Sequence, residues 1–405
     1  MSAVTIETVS GGVTAPRGFR AAGVACGIKA SGAPDLALIV STEPCSAAGV
    51  FTTNLAQAAP ILTSREHLKR SGGRASAIVV NSGCANACTG ANGIAHAREM
   101  ADLAASAVGC QSLNVLVAST GVIGVDLPME KVGRGIAAAS RQLSTSGGSA
   151  AAHAIMTTDP FPKEVSVEVT TSKGSFCVGG IAKGSGMIEP LMATMLAFLT
   201  TDAAVDPSIL QRALNSVVTD TFNAITVDGE CSTNDCVLAL ASGSSGVRLE
   251  EKDLPLVERA LRAACEPLAI GIVRGGEGAT KLITVRVCGA ASDADARRAA
   301  RAIANSLLVK TAVHGGDPNW GRLVAAAGRS GAAFDLDRAA VRIGPVELFR
   351  DGAPFDDRAP EAARYLQRRD IELDIDLGTG GAGSSRMWTC DLSAEYVRIN
   401  AEYRT

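Results

Sequence analysis

The sequence predicts a globular protein of mixed α/β or α+β class, without fixing a topology. Three observations carry that expectation. Hydrophobic residues are 47% of the 405 and charged residues 20%, enough for a large core and for two or three domains. Short apolar or alternating runs bounded by Gly, Asn, Ser and Pro recur along the chain as strands, with helical patterns between them. The 43 glycines fit tight turns and close backbone approaches rather than disorder, because the apolar fraction is also high.

Several function classes are disfavoured by composition. A formal net charge of -3 leaves no basic footprint for nucleic acid, and 3% aromatic residues give no base-stacking platform. Cysteine numbers 11, and neither close pair, Cys84/Cys88 or Cys231/Cys236, has zinc-site spacing or a nearby His. Buried free thiols in a reducing cytosol are the expectation, and no metal site is expected. Only four His are present, which weakens a Ser–His–Asp triad. The start shows no basic segment followed by an apolar core, so the expected location is the cytoplasm.

Taken in order, residues 1–30 carry few periodic signals. Residues 36–40 (LALIV) read as a buried strand, 47–54 (AAGVFTTN) continue in β-favouring residues, and 77–80 (AIVV) form another strand. The last runs into NSGCANACTG at 81–90, small polar residues at a strand end. That is the usual place for a site in an α/β sheet, and also a tight turn using Asn and Gly for left-handed backbone. A helix over 92–108 has Asn92 as its expected cap and Ile94, Met100, Leu103 and Ala104 inward. A strand over 113–118 ends at Ser119, Thr120 and Gly121. A Gly N–H beside a Thr hydroxyl can form an oxyanion hole, although a plain strand-to-helix turn has the same residues. Pro128 starts a helix that frays into a linker or surface loop at 144–149. Thr157, Thr158 and Asp159 begin a turn, 164–170 reads as a half-exposed strand, and 176–181 is a strand feeding a turn at Lys183.

The stretch 182–202, AKGSGMIEPLMATMLAFLTTD, carries the sharpest signal. Its apolar run is too short, and too interrupted by Glu189 and Pro190, to span a bilayer. Thr194 is a lone hydroxyl in that run, and by default such a Thr is a core residue bonded to a nearby carbonyl. The alternative is a nucleophile whose base is its own α-amine, which becomes free only if the chain is cut after Ala193. The Gly-rich turn and Pro190 upstream allow an unusual backbone there.

Beyond it, Asp206 and Pro207 cap a helix to about 218, and 221–235 (TFNAITVDGECSTND) is dense in Thr, Asn and Asp. Residues 237–241 read as a strand and 253–270 as a helix with Pro267 near its end. GGEGATK at 275–281 lacks Walker spacing, and its central Glu277 disfavours an anion. A strand over 282–288 and a helix over 293–309 lead to KTAVHGGDPNWGR at 310–322. Strands at 340–349 and 371–377 follow, the second alternating with an acidic outer face, then a Gly/Ser turn at 378–385. Residues from about 290 to 405 are expected to form a second, smaller domain.

Nine ordered segments together resemble the ornithine acetyltransferase family, the bifunctional glutamate N-acetyltransferases of cyclic arginine biosynthesis. They include GGVTAPRGFRAAGVACGIK, AAGVFTTN, NSGCANACTG, ASTGVIG, TTDPFPK, the stretch around Ala193-Thr194, ITVDGECSTND, GGEGATK and KTAVHGGDPNWGR, and the resemblance runs from about Gly11 to Thr405. It implies an αββα layered sandwich of the self-processing N-terminal-nucleophile type with a smaller C-terminal α/β domain. It implies self-cleavage between Ala193 and Thr194 into an α chain, 1–193, and a β chain, 194–405, assembled as a heterotetramer. Thr194 is then the nucleophile, Thr120 and Gly121 the oxyanion hole, and Thr157, Lys183, Thr194, Glu277, Asn400 and Thr405 the substrate-binding set. The implied reaction passes acetyl from N-acetylornithine to glutamate, releasing ornithine and needing no cofactor. Acetyl-CoA is left open as a second donor. Without the resemblance, Lys183 and Glu277 would read as a surface ion pair, and Asn400 and Thr405 as part of a disordered terminus. Two other readings stand beside it: a self-processing aminopeptidase or amidase in which water resolves the acyl-enzyme, and a non-catalytic small-molecule binder.

Overall fold

The computed structural model describes residues 4–189 and 195–402. The first sheet is built from β1 (Thr5–Val9), β2 (Phe19–Val24), β3 (Leu36–Phe51), β4 (Arg74–Cys84), β5 (Val115–Val122), β6 (Lys163–Thr171), β7 (Gly174–Lys183) and β8 (Leu196–Thr201). After the two-residue β9 (Ala204–Val205) comes β10 (Cys236–Ala241), which completes it, and then β11 (Arg248–Leu249), which pairs with β9. The sheet order is β1-β6-β7-β8-β10-β3-β4-β5, with β2 added on β3. The helices of this part are α1 (Ala59–Arg70), α2 (Gly90–Val108), α3 (Met129–Arg141), α4 (Gly148–Ala154), α5 (Pro207–Asp220) and α6 (Leu254–Arg274).

Adjacent residues of a strand point to opposite faces, so the alternation of core membership defines the layers. Leu36, Leu38 and Val40 of β3 pack with Val79, Val117 and the α2 and α3 side chains Met100, Ala104, Val132 and Ile136. Their neighbours Ala37 and Ile39 pack the other way, with Ile78 and Leu116 and, across the molecule, with Ile181, Phe198 and Leu238. Ala197, Leu199, Val237 and Ala239 in turn face Leu210, Leu214, Leu261 and Leu268 of α5 and α6. The sequence of layers is helix, strand, strand, helix: the expected αββα sandwich, with a core between its two inner layers built mainly from strand residues, to which α1 adds Ile61 and α4 adds Ala151, Ala152 and Ala154.

β3 joins the two halves. It runs unbroken for 16 residues, where the sequence suggests two elements. Its early part pairs with β2 and β4 and its late part with β10, with a register shift against β4 between Val40 and Cys45. Pro44, which cannot donate to a ladder, falls in that shift.

The second sheet comprises β12 (Leu282–Ala290), β13 (Ala340–Ile343), β14 (Val346–Arg350), β15 (Ala353–Pro354), β16 (Asp370–Asp376) and β17 (Gly383–Cys390), in the order β15-β14-β13-β16-β12-β17. Helices α7 (Asp293–Ala304), α8 (Leu307–Gly315), α9 (Trp320–Gly328) and α10 (Ala359–Tyr365) accompany it, and α11 (Ala394–Glu402) follows. Its core, which includes Val285, Ile303, Leu323 and Leu373, is separate from those above. On the other face Arg286 bonds Glu372 and Asp374, which fits the acidic alternation of β16.

Several boundaries differ from expectation for local reasons. The helix expected over 293–309 breaks after Ala304, because Ser306 caps a new helix by accepting from Val309 N–H, while the Asn305 amide donates to Glu189 at 2.8 Å. Residues 340–349 form a hairpin over Gly344 rather than one strand. Helix α6 continues to Arg274 past Pro267, because Leu268, Ile272 and Val273 remain buried in the first core. That burial outweighs a proline penalty of roughly 3 kcal/mol. Helix α2 starts at Gly90 rather than at Asn92. The loop expected at 144–149 gives way at Gly148 to α4, and the terminus, which would read as disordered without the family resemblance, carries α11. Cys88 and Cys288 are exposed rather than buried: the first sits in a left-handed turn and the second on the outer face of β12.

Candidate active site

The two inner layers end at one cleft of about 120 Å³. Its floor is set by β4 and β5, which run parallel until a register shift at Gly83 and Cys84. Gly121 has φ +127°, and a Cβ there would lie 2.3 Å from the Gly83 carbonyl carbon. Only glycine allows so close an approach, and the approach is what turns the chain at Thr120–Gly121 toward the cleft. The NSGCANACTG loop beside it takes left-handed backbone at Gly83, Asn86, Cys88 and Gly90. Asn234 ties the two pieces together, donating to Ala85 O at 2.6 Å and Ser119 O at 2.9 Å.

Lys183 is the last residue of β7 and is 3% exposed. Its Nζ donates to Thr120 Oγ1 at 3.2 Å. Burial pushes its ammonium pKa down, and Asp159 opposes that. Asp159 is a clamp. Its Oδ1 accepts from Lys163 Nζ at 2.6 Å and Gly184 N–H at 2.7 Å, and its Oδ2 accepts from Thr157 N–H at 3.0 Å. Burial works against its charge, but Lys183, Lys163 and the Gly184 N–H outweigh burial and hold it at about 2.

Glu277 closes the opposite wall. It is buried, with Oε1 accepting from Thr158 Oγ1 at 2.7 Å and Oε2 from Asn400 Nδ2 at 2.8 Å. Its own N–H donates to Ser185 O at 2.8 Å, so the 275–281 loop is fastened to the turn after Lys183. Asp228 also lines the cleft and accepts from Met187 and Ile188 N–H and from Tyr396 Oη. Burial pushes its carboxyl up, partly offset by those backbone donors.

Of the residues singled out from sequence, Thr120, Gly121, Thr157, Lys183, Glu277 and Asn400 all line this cleft. Ala193, Thr194 and Thr405 lie outside the described residues. Lys183 and Glu277 are both buried and have different partners, so they are not a surface ion pair. Sequence reasoning missed Asp159, Thr158, Asp228 and Tyr396. Asp159 and Asp228 had a usable signal, since each is an acidic residue inside a hydroxyl-rich turn. Tyr396 had none, because nothing local links it to a carboxylate 168 residues away.

The frame of the site is a four-layer αββα scaffold whose inner strands converge on a cleft lined by a buried lysine, a buried glutamate and several hydroxyls. The chain belongs to the ArgJ family, whose model matches residues 20–405. The arginine biosynthesis bifunctional protein ArgJ of Symbiobacterium thermophilum is 50% identical over 407 residues, covering 99% of this chain and 100% of that protein. The protein of the same name from Chlorobaculum tepidum is 47% identical over 410 residues, covering 100% of both. A solved ornithine acetyltransferase from Mycobacterium tuberculosis, complexed with ornithine, is 44% identical with a TM-score of 0.43, over 47% of this chain and 100% of that chain. The family expected from the nine motifs is the family found.

Proposed function

We propose that this chain acts in arginine biosynthesis, transferring the acetyl group of N2-acetyl-L-ornithine to L-glutamate by way of an acetyl ester on Thr194. Family membership along the chain supports the reading, and so does one observation: Lys183 donates to Thr120 Oγ1 inside a cleft that also holds Glu277. With its oxygen occupied by Lys183, the Thr120 hydroxyl is free to donate its own proton toward a developing oxyanion, beside the Gly121 N–H.

The precursor first cuts itself between Ala193 and Thr194, giving chains 1–193 and 194–405 that assemble as a heterotetramer in the cytoplasm. The Thr194 hydroxyl then attacks the acetyl carbonyl, its proton passing to the freed α-amine. The tetrahedral oxyanion is held by Thr120 and Gly121. It collapses as the ornithine nitrogen leaves with that proton. Glutamate attacks the ester in the second half-reaction and departs as N-acetylglutamate. Glu277, already fixed by Thr158 and Asn400, pairs with a substrate ammonium, and Lys183 with a carboxylate. Thr157 and Thr405 complete the substrate set.

The intact mass of the denatured protein is expected to show two species breaking between Ala193 and Thr194. The cleaved protein is expected to pass acetyl to glutamate faster than to water, with ping-pong kinetics. Faster transfer to water would make it an amidase, and a persistent single species that still transfers acetyl would overturn the N-terminal-nucleophile mechanism. Acetyl-CoA is the second donor to assay.

A further inference from the structure

We infer that His314 and Asp391 are positioning residues of the substrate site. Together they lock the loop carrying Glu277 to the start of α11, and so set where Glu277 and Asn400 meet the side-chain ammonium of the acetyl donor. The inference rests on the reaction proposed above and adds residues to which that reaction gives no part. Neither residue lines the cleft.

Asp391 directly follows β17, and its side chain is fully buried. Its Oδ1 accepts from Thr280 N–H and Lys281 N–H, both at 2.8 Å. Its Oδ2 accepts from Thr280 Oγ1 at 2.6 Å and bonds His314 Nδ1 at 2.7 Å. Burial works against the charge, but Thr280, His314 and the Lys281 N–H outweigh burial and hold the carboxyl below its ordinary range. An ionised carboxylate only accepts, so the Nδ1 proton belongs to His314. His314 lies in the last turn of α8, and Lys281 Nζ fixes that turn by donating to Val313 O at 2.6 Å. One buried carboxylate thus gathers the 275–281 loop and the end of α8.

Glu277 lies on that same loop, just before Thr280. Shortly after Asp391, Ser393 Oγ donates to Gly278 O at 2.6 Å, and α11 begins at the next residue. Gly278 has φ +68°, and a Cβ there would lie 2.5 Å from Tyr396 N, so the loop and the first turn of α11 meet backbone to backbone. The far end of this short lever is Asn400 Nδ2, donating to Glu277 Oε2 at 2.8 Å. No residue of α11 is buried, so apolar packing does not fix its place, and the joint at Asp391 does. A shift of that joint moves Glu277 and Asn400 relative to Lys183 across the cleft. Substrate placement is sensitive to displacements of about 1 Å.

N-acetylornithine carries its only ammonium on the side chain, and N-acetyl-L-norvaline is the same molecule without that amine. The test measures kcat/KM for acetyl transfer from each donor to glutamate, in wild type, His314→Ala, His314→Asn and Asp391→Asn, with thermal melts of each. If N-acetylnorvaline is too slow a donor to follow, its Ki against N-acetylornithine takes the place of its kcat/KM. Wild type is expected to prefer N-acetylornithine by about 10²-fold or more. His314→Ala and Asp391→Asn are expected to cut that preference about ten-fold, through a higher KM for N-acetylornithine, with kcat little changed and N-acetylnorvaline unaffected. His314→Asn is expected to restore most of it, because the Asn amide nitrogen can stand where Nδ1 stood. A merely structural role would lower the melting temperature and weaken both donors alike. A wild-type preference kept in a cooperatively melting His314→Ala protein, equal losses for both donors included, overturns the inference. The His314 side chain is 41% exposed, so this variant decides the matter even if Asp391→Asn does not fold. A wild type that passes no acetyl from N-acetylornithine to glutamate, or shows no preference for it, overturns the underlying reading instead.

Discussion

Asp159 sits at about 2 in the folded protein against an ordinary value of 3.8. A group depressed in this way contributes stability above its unfolded value and loses it as pH falls through its folded value. The window therefore runs from about 4 down to about 2, and the contribution at neutral pH is roughly 2 kcal/mol. Urea titrations across that window are expected to show wild-type stability falling toward acid. Asp159→Asn, which strands the buried Lys163 ammonium, is expected to lose about 3–5 kcal/mol at neutral pH and to converge on wild type near the acid end. Asp228 has the opposite sign, because burial raises it. Its contribution is present below the unfolded value and is lost as pH rises through the folded one. Lys183→Met removes the donor to Thr120 Oγ1. Steady-state kinetics are expected to show kcat/KM for acetyl transfer down by about 10²–10³, and unchanged kinetics would remove Lys183 from the reaction. Lys183 and Glu277 stand out in the sequence only through a family motif. Their burial cannot be read locally, because the strands and loops that cover them lie far away in the chain.

Helix α11 is an element whose value lies in a few polar contacts. None of its residues is buried, and Val397 is 62% exposed, so little apolar surface holds it down. Its ties to the cleft are Asn400 on Glu277 and Tyr396 on Asp228. A protein ending at residue 393 is expected to melt within a few degrees of wild type while its KM rises about ten-fold or more. A large fall in melting temperature would instead make the helix a structural element. The turn between β5 and the cleft is the reverse case, where backbone geometry leaves no tolerance. Gly121→Ala puts a Cβ 2.3 Å from the Gly83 carbonyl carbon and 2.6 Å from Cys84 N. It is expected to lower stability by several kcal/mol, measurable by urea denaturation. Most strands are legible as elements in the sequence, since alternation and short apolar runs are local properties of the chain. The helices at 59–70 and 394–402 are not, because neither offers a strong apolar stripe.

The interleaving of the sheet matters most for the molecule as a whole. β8 and β10 lie side by side in its middle, with β7 on one flank and β3 on the other. A cut between Ala193 and Thr194 therefore puts two strands of the second chain between strands of the first. The ladders β7–β8 and β3–β10, and the core that joins Phe198 and Leu238 to Ile39 and Ile78, cross the cut. After cleavage the two chains are expected to co-elute under native conditions and to separate only in denaturant. Separation in native buffer would contradict this arrangement of strands.

The sequence by itself determined the class of fold, the family and the short segments that carry polar chemistry. These follow from composition, periodicity and motif order, which are written along the chain. Only the tertiary structure decided that Lys183, Glu277 and Asn400 share one cleft, that Asp159 clamps its wall, and that Asp391 and Ser393 tie the Glu277 loop to the start of α11. Burial and long-range hydrogen bonds set those properties, and both depend on which distant segments the fold brings together.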